Sequence, residues 1–166
     1  ENMTVDILGV DVGGVIIDID RPNGDQQSSV LSRDFLSIAE VPHAIDVIST
    51  LNAGKFKNNV HIISKCSKEE KSHILKWLAS RNFCQKTNID MNKVHFCRRH
   101  SEKILMCKKY KITHFVDDRL GILGRVHTAK RYLFNPIRSE LDENIVYLSQ
   151  VQVVYSWLEL ERLLSE

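Results

Sequence analysis

Residues 7–18 read ILGVDVGGVIID, and the order of residue types in that stretch decides the fold class. An apolar run climbs to one carboxylate, Asp11, breaks at Gly13-Gly14 and resumes as Val15-Ile16-Ile17. Isoleucine, leucine and valine in succession, without polar alternation, fit a strand buried on both faces, as in a parallel sheet. A charge at the end of such a strand is costly to bury unless it meets a metal, a cation or a ligand. The carboxyl ends of strands in open α/β sheets are also where ligands bind. Asp11 is therefore the first candidate functional residue.

Working outward, the same alternation recurs. A strand over 5–11 is followed by the polar stretch 18–40, whose Pro22-Asn23-Gly24 signals a turn, so a loop or small flap is expected there. Pro42 opens a helix with Ala44, Ile45, Val47, Ile48 and Leu51 at helical spacing and Gly54 as its stop. A strand over 59–64 ends at Ser64. Ser67 and Glu70 then form a capping-box pattern for a helix carrying Ile74, Leu75, Trp77 and Leu78. Further strands are predicted at 93–97, 112–116, 131–134 and 145–148, with helices from Ser101, from Leu120 and over 151–164. Strands alternating with helices at this spacing predict a three-layer α/β sandwich with a central, mostly parallel sheet. One domain over 1–166 is expected, with no internal repeat.

Composition places the chain among soluble globular proteins: 43% of residues are apolar and 27% charged. No apolar run reaches the ~20 residues needed to span a bilayer, so no membrane partner is expected. Four cysteines fit free thiols in a reducing compartment, the cytoplasm. Cys84, Cys97, His100 and Cys107 match no zinc-site spacing. The net charge of +2 conceals an asymmetry, because residues 55–131 hold 19 Lys/Arg against six acids. That basic middle reads either as solvated helix faces or as an attraction for phosphate-bearing partners.

Three strands end in polar groups: Asp11, Ser64 and the pair Asp117-Asp118. A doubly wound sheet brings such ends to one edge, and Lys103 opens the helix before the Asp pair. A hydroxyl, a lysine and three carboxylates suit phosphate chemistry with Mg²⁺, which prefers oxygen ligands.

DVGGV at 11–15, IIS ending at Ser64, Lys103, and FVDDR at 115–119 together resemble the four motifs of the haloacid dehalogenase (HAD) superfamily, in order and in strand context. The resemblance implies a Rossmann-like HAD fold and a Mg²⁺-dependent phosphatase working through an aspartyl-phosphate. Asp11 would be nucleophile and metal ligand, Ser64 would hydrogen-bond the phosphoryl group, and Lys103 would neutralise charge. Asp117, Asp118 and the Gly13 carbonyl would complete the metal site. Where phosphatases of this family carry a second Asp, two residues after the nucleophile, this chain has Gly13. Its carbonyl can serve the metal, but general-acid catalysis, worth roughly 10²–10⁴ in rate, is missing. Asp18 or Asp20 on the flap is a candidate substitute.

The short spacings leave no room for a cap domain, implying an open site that accepts large phosphorylated substrates or is covered by a second subunit of a homo-oligomer. Nothing in the sequence selects a small molecule, a protein or a nucleic acid. The actin-like kinase fold shares GVDVGG but needs a far longer chain, and receiver domains place their acidic pair early. Two functions stay open: a slow phosphohydrolase, and a non-catalytic HAD-like module that binds a phosphorylated ligand or partner.

Overall fold

A computed structural model describes residues 4–19 and 29–165. Its strands are β1 (Leu8–Val10), β2 (Val60–Lys65), β3 (Val94–Cys97), β4 (His114–Asp117), β5 (Lys130–Phe134) and β6 (Gln152–Val154). They form one sheet in the order β3-β2-β1-β4-β5-β6, and every pairing is parallel. The helices are α1 (Ala44–Ala53), α2 (Lys68–Ser80), α3 (Phe83–Thr87), α4 (His100–Lys109), α5 (Leu120–Leu123), α6 (Arg138–Glu143) and α7 (Trp157–Leu164). The fold is the expected Rossmann-like α/β sandwich around a central parallel sheet.

The continuous apolar runs have the explanation their pattern suggests: both faces of the sheet are covered. Leu8, Val10, Ile62 and Val116 pack with residues of α1, α2 and α7, such as Ile48, Trp77 and Trp157. On the opposite face Ile63, Phe115 and Leu133 pack with Cys107 of α4 and with Leu120 and Leu123 of α5. Gly9 is required at the centre of the sheet, because a Cβ there would stand 2.8 Å from the Phe115 ring.

The chain runs outward from β1 to β2 and β3, then returns to the other side of β1 for β4, β5 and β6. Strand order therefore reverses between β1 and β4, and crevices outside carboxyl ends at such a reversal are where ligands bind.

Several boundaries differ from the sequence reading. α1 begins at Ala44, behind a left-handed His43 (φ 67°), and the Glu40 carboxylate accepts the Ile45 N–H at 2.9 Å. α2 has both bonds of the predicted capping box. α4 begins at His100 with Arg99 as its cap residue, so Ser101 lies within the first turn. The run Ile145–Leu148 belongs to a 3₁₀ helix, Ile145–Gln150, with Ile145 and Val146 exposed, and β6 is instead Gln152–Val154. A short apolar run does not by itself distinguish strand from helix, and here the sheet edge takes the β-branched residues that follow it. Serine 156 caps α7, its hydroxyl accepting the Glu159 N–H.

The stem of the flap is visible. Asp18 donates its N–H to Ala39 and Val41 donates to Ile16, and Phe35 and Ile38 are buried in the core. Its Pro22-Asn23-Gly24 turn and Asp20 lie outside the described residues. Among the described residues no helix is long and apolar enough to cross a membrane.

Candidate active site at the sheet reversal

The chain leaves β1 at Asp11, whose N–H donates to the Val116 carbonyl of β4 at 3.0 Å. It then turns sharply: the Val12 carbonyl accepts the N–H groups of Val15, Ile16 and Ile17 at 3.2, 2.8 and 3.1 Å. Gly14 makes the turn feasible at φ 76°, a region that side chains disfavour. Its N–H donates to Ile17 at 2.9 Å, so Gly13 is bridged to Ile17 through its neighbours' groups. The N–H and carbonyl of Gly13 itself stay outside that bridge, and Gly13 lines the cavity.

Lys103 of α4 is 3% exposed and reaches across to both acidic strand ends. Its Nζ lies 2.7 Å from Asp11 Oδ1 and 2.8 Å from Asp117 Oδ2. The contact with Asp117 runs off the hydrogen-bond direction, so this fully buried Oδ2 is held by charge and has no aligned donor. Asp117 Oδ1 accepts the Arg119 N–H at 2.9 Å. Asp11, Asp117 and Asp118 each present an oxygen within 4.8 Å of the others.

Burial and the neighbouring Asp117 raise the Asp11 carboxyl above its ordinary range, and Lys103 opposes them. Burial alone would lower the Lys103 ammonium, but Asp11 and Asp117 more than reverse it, so Lys103 is firmly protonated. The oxygens of Asp11, Asp117 and Asp118 together form a donor set that fits an oxygen-preferring divalent cation, with Gly13 lining the same cavity.

Ser64 is buried on β2, and its hydroxyl lies against the Cys66 thiol, which burial pushes up. The cavity wall on that side is made by Lys65, Cys66 and Ser67. Asp18 is exposed and borders a neighbouring hollow with Gly14, Val41 and Phe134. The cavity at Asp11 holds about 380 Å³ and is also lined by Arg98, His100 and Arg119. Sequence reasoning passed over Lys65 and Arg98 and weighed His100 only as a zinc ligand; their one signal was their position at the end of β2, just after β3 and at the start of α4.

No known protein family matches the chain by sequence, and no curated protein matches it. Among solved structures, the D,D-heptose 1,7-bisphosphate phosphatase of Burkholderia thailandensis superimposes with a TM-score of 0.57 at 12% identity. The match covers 97% of this chain and 99% of that one, and what it establishes is the shared fold.

Proposed function

We propose that this chain is a Mg²⁺-dependent phosphohydrolase with Asp11 as nucleophile. The observation that carries the reading is the buried Asp11–Lys103–Asp117 group at the sheet reversal, open to a cavity rimmed by cations. A buried ion group is a weak contributor to stability when compared with apolar packing, so its position at a cavity favours a chemical role. The phosphatase with the same fold supports the reaction class.

In this reading the Asp11 carboxylate attacks phosphorus, the bond from phosphorus to the ester oxygen breaks, and an aspartyl-phosphate forms. Lys103 holds Asp11 in place and offsets its charge, while Arg119 and His100 face the incoming phosphoryl group. Asp11, Asp117 and Asp118 would hold the cation, which when bound would supply Lewis-acid stabilisation to the phosphoryl oxygens. Gly13 offers no proton to the departing oxygen, so that proton comes from solvent. Water then hydrolyses the acyl-phosphate, returning Asp11 and releasing inorganic phosphate. Ser64 enters as a support for the Cys66–Ser67 wall.

Gly13 is also the observation favouring the second reading, a module that binds phosphorylated ligands without turnover. Hydrolysis of p-nitrophenyl phosphate with Mg²⁺, compared between the wild type and Asp11→Asn, decides between them. Turnover that disappears with Asp11→Asn is expected; no Asp11-dependent turnover leaves only the binding module.

A further inference from the structure

The cavity at Asp11 does not end at Arg98. Cys66, Ser67 and Arg98 also bound a second hollow of about 230 Å³, completed by Lys68, Lys71 and Phe96. The two hollows adjoin at these shared residues and together make a surface track, called the channel below, from Asp11 past the carboxyl ends of β2 and β3 to the first turn of α2. Lys65, His100 and Arg119 stand around its inner part, Lys68 and Lys71 around its outer part, and Arg98 between them. All six are exposed, and among the described residues none is ion-paired with a carboxylate. Glu70, also on the wall, is committed to the Ser67 N–H at 2.9 Å. His100 feels the resulting field: burial lowers its pKa, and Lys65, Arg119 and Lys103 lower it further. On the outer floor lies the half-buried Phe96, with Lys71 Nζ 5.2 Å from its ring centroid.

Five exposed Lys and Arg side chains along this track, without a carboxylate partner among the described residues, and an aromatic face among them match what a single-stranded nucleic acid needs. Cations track the backbone, and a ring accepts a base of any sequence. A compact sugar phosphate would be served by the inner hollow and would leave Lys68, Lys71 and Phe96 without a role. We propose that the channel binds single-stranded nucleic acid, with its terminal phosphate in the Asp11 cavity and the following phosphates along Arg98, Lys68 and Lys71. A base lies against Phe96. The fate of the terminal phosphate rests on the phosphohydrolase reading; the binding rests on the channel.

The test uses the full chain carrying Asp11→Asn, so that the probe is not consumed. Fluorescence anisotropy is read with ten-nucleotide oligothymidylates bearing a 3′- or a 5′-phosphate, beside a duplex and a phosphopeptide of equal net charge. Replacing Lys68, Lys71 and Arg98 by Ala is expected to weaken oligonucleotide binding at least tenfold. It should also reduce the slope of log K against log salt by about two, from three cations at ~0.7 each. Lys108→Ala with Lys111→Ala, in the last turn of α4 and just beyond it, should change neither quantity. Circular dichroism verifies folding, and Arg98→Glu alone gives the same direction should the triple variant unfold. Unchanged affinity in these channel variants, or equal binding of the phosphopeptide or duplex, overturns the proposal. Asp11-dependent turnover of an aryl phosphate without oligonucleotide binding overturns the channel and leaves the hydrolase. Oligonucleotide binding lost in the channel variants, without turnover in the wild type, does the reverse.

Discussion

Lys103 sets its ammonium nitrogen 2.7 Å from Oδ1 of Asp11, joining two buried side chains 92 positions apart in the chain. The same nitrogen stands 2.8 Å from Asp117, so one cation separates two carboxylates that would otherwise repel. Lys103→Met should therefore leave an uncompensated buried pair and cost about 3–5 kcal/mol. Asp11→Asn removes one of the two like charges and keeps Lys103 paired with Asp117. It should melt at or above the wild type while abolishing turnover. Urea denaturation of both variants checks the contrast; equal losses of stability would show that the ammonium is not the electrostatic keystone.

In the proposed phosphohydrolase, position 13 is where a proton donor can be added. A Cβ there would meet Ile19 Cδ1 at 2.6 Å, the far end of a flexible side chain that can turn away. Gly13→Asp is expected to raise kcat/KM toward the 10²–10⁴ range of general-acid catalysis, and adding Ile19→Ala should enhance the gain. Alkyl phosphates, whose leaving oxygen needs a proton, should benefit more than p-nitrophenyl phosphate. An equal gain on both substrates would refute proton donation.

Cation binding should also be visible without any reaction. A ligand that binds only the folded chain stabilises it by RT ln(1 + [L]/Kd), about 2.7 kcal/mol at a hundredfold excess over Kd. Adding Mg²⁺ or Mn²⁺ is expected to raise the melting temperature of the wild type, and Asp118→Ala should reduce the rise. Thermal scans across a metal titration measure it, and an undiminished rise in Asp118→Ala would remove Asp118 from the ligand set.

A different pH response comes from the amino side of the sheet. His61 Nδ1 and His95 Nε2 lie 2.9 Å apart, and both rings stack with Tyr110. Burial, then His95 and Lys93, lowers the His61 pKa to about 4. The unfolded chain, with an ordinary value near 6.5, thus takes up this proton first as pH falls. The contribution is complete above about pH 6.5 and is lost progressively down to about pH 4. Denaturation midpoints should fall across that window, and His61→Phe, which keeps the stacking, should flatten the slope. An unaltered slope would assign the pH response to other groups.

Much of this was legible in the chain because parallel sheets leave strong marks. ILGVD, NVHIIS and THFVDD each end a mostly apolar stretch in a polar group, and the sheet brings Asp11 and Asp117 together under Lys103. Lys65, Arg98 and His100 could not be recognised the same way. An exposed cation beside a site and one on a solvated helix are written identically, and only the packing of strand ends separates them. Ile145-Val146-Tyr147-Leu148 misled for a related reason: its composition is that of a strand, while the edge of the sheet is completed beyond it by Val153-Val154. The distinction lies in which run can pair with Phe134, a property of distant sequence.

Trp157 is fully buried at the start of α7, and its indole N–H donates to the Val15 carbonyl at 2.7 Å, 142 positions back in the chain. The turn that carries Asp11 and Gly13 is thus fastened by a residue translated long after it. While the chain emerges from the ribosome, β1 has neither its neighbour β4 nor this anchor until most of the domain has been made. No nascent fragment that stops before Trp157 can fasten the turn through this hydrogen bond.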